Sequence, residues 1–147
     1  MRIPLSYDAD ASSIVFPTEV KISVAGAPWV PLPAELRYDM ADPYAVRLCM
    51  GAPLVPSIDW VFARSLLMEG VRRPSGIGDV VVIPRHRCDP DSVRILLRTR
   101  TGAALLAARA VVVMDFLRRS EALVPPGTEH HHVDVDRLID RLTAGRE

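Results

Sequence analysis

Lysine is nearly absent: Lys21 stands alone against 17 arginines in a chain of 147 residues. With heavy alanine, valine and proline, that bias is the imprint of a GC-rich coding sequence and carries little functional weight. Cysteine is scarce too. Cys49 and Cys88 lie far apart in no paired spacing, which favours two reduced thiols over a disulfide or a metal clip. Net charge is missing, with 18 basic residues balancing 18 acidic ones. A nucleic-acid binder usually shows a basic excess, so the balance argues mildly against one. No long apolar run is present. The longest, residues 103–114, is interrupted by Arg109 and falls short of the ~20 residues a bilayer requires. The amino terminus has one arginine, then Pro4, Tyr7, Asp8 and Asp10, with no apolar signal core after it, so secretion is not expected. Aromatics make up only 5%. Catalytic motifs are missing as well: Ser65 and Ser120 have no nearby histidine or glycine elbow, so neither reads as a nucleophile.

What is present is a globular composition, 49% apolar and 24% charged, in a length typical of one domain. No linker or low-complexity segment divides the chain, so residues 1–147 are expected to form a single domain with its core over about 12–142. The clearest helical pattern covers residues 58–70. Trp60, Ala63 and Leu67 fall on one stripe, with Phe62 and Leu66 beside it. Asp59 or Ser57 would cap it, and Gly70 would end it through a left-handed conformation. Its tryptophan and phenylalanine mark it as a core plug, so Trp60→Ala is expected to cost about 3–5 kcal/mol.

Around this plug, residues 14–24 read as a strand with Pro17 at an edge or bulge. Residues 29–38, with two prolines, read as a short irregular strand. Residues 44–50 alternate as a strand, Val46 and Leu48 opposite Arg47 and Cys49. Residues 72–78 form a loop and 79–84 a buried strand, followed by a turn over 85–91. Strands follow at 92–98 and 103–107. A second helix covers 110–123, with Val113, Phe116 and Leu117 inward and Arg118 and Arg119 outward, ended by Pro125, Pro126 and Gly127. A third helix is expected over 134–142, from Val135, Leu138, Ile139 and Leu142. Phe62-Ala-Arg64 and Phe116-Leu-Arg118 hold similar places in the first two helices, a weak sign of two similar halves. The order strands, helix, strands, helix, with antiparallel strands and helices on one side, makes the fold α+β.

Four constellations invite chemistry. In Glu129-His-His-His132, His130 and His132 would share a face of an extended segment and Glu129 could add an oxygen ligand. No fourth ligand is identifiable where zinc normally takes four, or three and a water, so a polar loop is favoured over a metal site. Gly76-Ile-Gly78 lacks the third glycine and the following helix of a dinucleotide fingerprint, and reads as a turn. Asp39 and Asp42, beside Arg37 and Tyr44, could do acid–base work, but aspartates at such spacing usually bond their own backbone amides. Arg64, Arg72 and Arg73, with Arg85 and Arg87 a strand away, could form a positive patch or a solvated face. For partner contact, exposed Arg64, Glu69, Arg72 and Arg73 around the end of the 58–70 helix are the expected residues.

Four motifs then share one register: Pro33-Ala-Glu-Leu-Arg-Tyr-Asp-Met-Ala-Asp-Pro-Tyr-Ala-Val46, Asp59-Trp-Val-Phe-Ala-Arg-Ser-Leu-Leu-Met-Glu-Gly70, Arg73-Pro-Ser-Gly-Ile-Gly-Asp-Val80 and Val124-Pro-Pro-Gly-Thr-Glu-His130. In order and spacing the chain resembles the SsgA-like proteins of sporulating actinomycetes, nearest the SsgB branch, over residues 12–142. The resemblance implies a cytoplasmic, non-catalytic protein of sporulation-specific cell division, working at the septum. It would need no cofactor and no metal. It implies partners among FtsZ and other SsgA-like or divisome proteins, with a role in positioning the FtsZ ring. It also implies a whirly-like fold in two similar halves and self-association as a trimer. The alternative is a single-stranded nucleic-acid-binding protein of whirly-like fold, although few exposed aromatics are expected for base stacking. A cell-wall enzyme ranks last, since no residues for it are identifiable.

Overall fold

The structure, a computed structural model, describes residues 12–51, 58–84 and 90–133. Seven strands form one antiparallel sheet: β1 (Ser13–Val24), β2 (Val30–Asp39), β3 (Ala45–Met50), β4 (Ile58–Ala63), β5 (Val80–Ile83), β6 (Ser92–Thr99) and β7 (Gly102–Arg109). Their order across the sheet is β4-β3-β2-β1-β7-β6-β5. Helix α1 (Arg64–Gly70) follows β4, helix α2 (Ala110–Leu123) follows β7, and a 3-10 turn covers Glu129–His132. The antiparallel α+β reading and the element order strands, helix, strands, helix therefore match the structure. The turn expected over 85–91 lies mostly outside the described residues, and Ser57, Cys88 and the helix expected over 134–142 lie wholly outside them.

One face of the sheet carries the core. Ile14, Val20, Leu36, Tyr38, Val46, Leu48, Val93, Ile95 and Leu106 are all buried there, alternating along their strands with more exposed neighbours. That period of two is the pleat itself. Helix α2 lies on this face, in contact with β1, β2, β6 and β7. It buries Val113, Phe116 and Leu117, and the Phe116 ring meets Phe16 of β1 edge-on at 5.8 Å. So α2, whose bounds the sequence located, is the helix laid across the sheet.

The 58–70 stretch is a correction. Its first six residues are strand β4, paired with β3 from Ala45↔Ala63 to Met50↔Ile58. Only Arg64–Gly70 is helical. Ile, Trp, Val and Phe within 58–62 favour a pleated surface, and pairing with β3 decides between two patterns the local sequence allows. Trp60 and Phe62 face the core while Asp59, Val61 and Ala63 face out. The expected Asp59 cap is absent, for Ala63 precedes the helix and no side chain caps it. The Phe62 and Phe116 correspondence falls as well: one lies in a strand, the other in mid-helix.

Gly70 does end α1, for a different reason. It is missing from the glycines with positive φ. A Cβ on it would overlap the side chain of Val82 on β5, so the glycine serves close approach of helix to strand.

Two strands also differ from expectation. Residues 30–39 are a regular ten-residue strand despite Pro31 and Pro33. Both prolines stand before Ala34, where pairing with β3 begins, so no ladder bond to β3 is lost. Pro17 follows the same logic, facing β2 at Glu35 where β7 does not reach. Strand β5 lies at the sheet edge and is only partly buried, Val82 alone being fully enclosed.

Both helices issue from a strand with no loop between. The first helical amide is anchored the same way each time. Arg64 N–H donates to Tyr44 O at 2.8 Å, just before β3, and Ala110 N–H donates to Asp91 O at 2.7 Å, just before β6. Each helix thus has one orphan amide satisfied by the segment leading into the strand beside its own.

Candidate functional site

Arg64 opens α1 with its side chain turned inward. It was expected on the surface; the structure leaves it 1% exposed. Its guanidinium lies over the Tyr38 ring, 4.9 Å from the centroid. Nη1 donates to the Ser120 carbonyl at 2.9 Å and to Ser120 Oγ at 3.3 Å, and Nη2 donates to Glu129 Oε2 at 2.8 Å. Nε has no hydrogen-bond partner among the described residues. Arginine suits this task because its fork holds several acceptors at once and its face stacks on an aromatic ring. The partners are themselves fixed. Ser120 Oγ donates to Leu117 O at 2.8 Å, Gly127 N–H donates to Glu129 Oε1 at 2.9 Å, and Tyr38 Oη donates to Pro43 O at 3.0 Å. The hydrogen bond from Arg64 holds the Glu129 carboxyl below the ordinary glutamate range. Burial pushes the Tyr38 phenol up. One cation thereby clasps β2, α1, α2 and the 3-10 turn together.

Outside this clasp runs a groove of about 590 Å³ between the two helices. One wall is Met68 and Glu69 of α1 with Val71 and Arg72 just beyond; the other is Met114, Leu117, Arg118 and Glu121 of α2. Pro126, Gly127 and Glu129 close one end. The apolar lining includes two methionines, whose flexible thioethers adapt to varied surfaces. Val111, 60% exposed, continues the α2 stripe one turn beyond Met114, itself 39% exposed. The charges differ in their state. Glu69 is paired with Arg73, and Arg118 with Asp115 at 2.5 Å. Arg72 donates and Glu121 accepts no side-chain bond among the described residues.

Of the four residues expected at a partner surface, Glu69 and Arg72 line this groove. Arg73 stands beside it, paired to Glu69, and Arg64 lies behind it as structure. The wall from α2 was missed. Its signal was there, in Val111, Met114 and Arg118 spaced three and four apart, the outer stripe of a helix whose inner stripe is Val113, Phe116 and Leu117. Arg85 and Arg87 lie outside the described residues.

The other constellations resolve into local structure. Asp39 Oδ1 accepts from Ala41 N–H at 2.8 Å, and Asp42 N–H donates to Asp39 O at 2.9 Å, as turn aspartates do. Arg37 is tied to Glu35 at 2.6 Å. Gly76 and Gly78 have φ of +114° and +144° in the turn before β5. Glu129 to His132 form a 3-10 turn rather than an extended segment, His130 and His131 pack ring to ring at 4.1 Å, and Glu129 is engaged by Arg64. No cluster of three or more histidine, cysteine, aspartate or glutamate side chains fit to hold a metal occurs among the described residues. No helix among them is long and apolar enough to cross a membrane. Exposed aromatics do exist: Trp29 is 41% exposed, in a depression shared with Lys21, Arg94 and Arg109 but also with Glu19 and Asp91.

Comparison with known proteins completes the picture. The family described as Streptomyces sporulation and cell division protein, SsgA, matches residues 32–129. The sporulation-specific cell division protein SsgB of Streptomyces coelicolor is 44% identical over 125 residues, covering 85% of this chain and 91% of that protein. SsgB of Salinispora tropica is 39% identical over 142 residues, covering 91% and 99%. The crystal structure of an SsgA-like sporulation-specific cell division protein from Thermobifida fusca superposes with a TM-score of 0.79 at 34% identity, covering 88% of this chain and 95% of that one. A solved chain from work on SsgB mutations that correlate to longitudinal cell division in Streptomyces coelicolor superposes with a TM-score of 0.72 at 44% identity, covering 82% and 94%.

Proposed function

This chain belongs to the SsgA family of sporulation and cell division proteins, and from that premise we propose that it is a non-catalytic adaptor in sporulation-specific cell division. Its role is to help position the FtsZ ring and assemble the septum, in the cytoplasm at the division site. Relatives named as sporulation-specific cell division proteins support the process. The observation that carries the adaptor reading is the inter-helix groove, apolar along its length and charged at its rim, the anatomy of a protein-binding surface. Self-association as a trimer and a whirly-like arrangement in two similar halves belong to the same reading. The second gains support from the shared anchoring of both strand–helix joints.

Co-sedimentation of the purified chain with FtsZ polymers at micromolar concentration is the direct test, alongside septal localisation of a tagged copy. Absence of both overturns the reading. Light scattering tests the trimer, which a monomer mass refutes.

A second reading, single-stranded nucleic-acid binding, draws on Trp29 with Lys21, Arg94 and Arg109 around it. An exposed ring and nearby cations suit base stacking and phosphate contact. Glu19 and Asp91 in the same depression weigh against it. A gel shift that weakens steeply with salt would favour it.

A further inference from the structure

The groove between α1 and α2 has more detail than a generic contact surface, and the detail names its occupant. Its apolar lining is Met114 on α2, with exposed Val111 one turn outside, facing Met68 and Val71 on the other wall. Against that lining an extended peptide would leave backbone donors and acceptors facing methionine and valine, whereas a helix satisfies its own. The rim fixes the charge. Arg72 on the α1 side and Glu121 on the α2 side both line the groove without a side-chain partner among the described residues, while neighbouring Glu69 is neutralised by Arg73 just past α1 and Arg118 by Asp115 within α2. A groove with one unanswered cation on one wall and one unanswered anion on the other is complementary to a segment that is acidic along one flank and basic along the other.

We propose that this groove binds an amphipathic helix of a partner protein, its apolar face seated on Met68, Val71 and Met114, an acidic flank against Arg72 and a basic flank against Glu121. The mode is a helix in a groove, with anchors at i, i+3, i+4 and i+7. The proposal rests on the adaptor reading and supplies the chemistry of the partner for it.

The test uses the full chain and three fluorescein-labelled peptides of about 18 residues, long enough to hold a helix. All carry leucine at the four anchor positions. One has an acidic and a basic flank, one has two acidic flanks, and one has two basic flanks. Since a helix can enter from either end, the protein is varied as well: wild type, Arg72→Glu and Glu121→Arg. Fluorescence anisotropy is expected to show a rotating preference. The mixed peptide binds wild type most tightly, the doubly basic one Arg72→Glu, and the doubly acidic one Glu121→Arg. Each preference should be about tenfold, as when rim contacts pass from attraction to repulsion, and should shrink with added salt. Met114→Glu, on an exposed side chain, is expected to weaken all three peptides more than tenfold (about, at the least, one decade) with an unchanged melt. The same ranking of peptides for all three proteins, or no loss in Met114→Glu, overturns the proposal.

A photo-crosslinker in place of Val111 identifies the occupant. Cross-links to the peptide support the proposal. Cross-links that persist to residues 134–147 of the same chain, or to a second copy, overturn it. Failure here and failure of the adaptor reading are separable. If charge preference is missing while the full chain still co-sediments with FtsZ polymers, the groove proposal falls and the adaptor reading stands. If the preference rotates but co-sedimentation fails, the converse holds.

Discussion

At Arg64 the guanidinium is almost fully enclosed and answered by one carboxylate, that of Glu129. Removing the carboxylate strands a buried charge, which costs more than the pair contributes net. Glu129→Gln is therefore expected to destabilise by about 2–3 kcal/mol at neutral pH, below the range for a fully buried pair because Glu129 also faces the groove. In a chain of this size that is a fall of roughly 5–10 °C in Tm. The effect depends on pH with a definite sign. The folded carboxyl sits below the ordinary glutamate value of 4.5, so the unfolded chain binds the proton first as pH drops. The contribution is present in full above about 4.5 and disappears as pH falls through the lower, folded value. Melting wild type and Glu129→Gln from pH 7 to pH 3 should show the two curves converging at the acid end. At Gly70 the constraint is steric, since Val82 occupies the space of any Cβ. Gly70→Ala is expected to cost about 1–3 kcal/mol through overpacking. A neutral or stabilising result by thermal melt would mean that β5 can retreat.

Among the elements, α2 was legible to its end residues and β4 was not. Helix α2 carries its own 3.6-residue pattern over 14 residues, long enough for local periodicity to decide. Strand β4 has six residues whose strand identity comes from β3 beside it, a neighbour that helical stripe counting cannot see. Arg64 was misjudged for a related reason. Arginine is usually exposed, and its burial requires Tyr38, Ser120 and Glu129, which converge from three other parts of the chain. Glu69 and Arg72 were singled out because they stand at the end of the stretch read as a helix, Glu69 in the last turn of α1 and Arg72 two residues past it, and both line the groove. The strand assignment changes the cost of Trp60→Ala. Trp60 is only part-buried against the core, whereas Phe116 is 0% exposed. Trp60→Ala should cost about 2 kcal/mol and Phe116→Ala about 3–5 kcal/mol. Equal losses by denaturant titration would show that Trp60 is as enclosed as Phe116.

For the whole molecule, one continuous sheet carries both helices on a single core. Strand segments were found correctly where apolar alternation was strong, as in β1, β3 and β6. Their order across the sheet was beyond reach, since the β1–β7 pairing joins segments roughly eighty positions apart (as Ile22↔Leu106). The direct passage from β4 into α1 and from β7 into α2 has a further consequence. Where a strand becomes a helix within one peptide, the chain has no slack to absorb an added residue. Length changes should therefore be confined to the hairpin bends, such as that around Gly26, which a Cβ or a longer excursion would not crowd. A Gly-Ser pair spliced between Ala63 and Arg64 would rotate the clasp out of reach of its carboxylate and should abolish the cooperative melt. The same pair after Gly26 should leave the melt nearly unchanged.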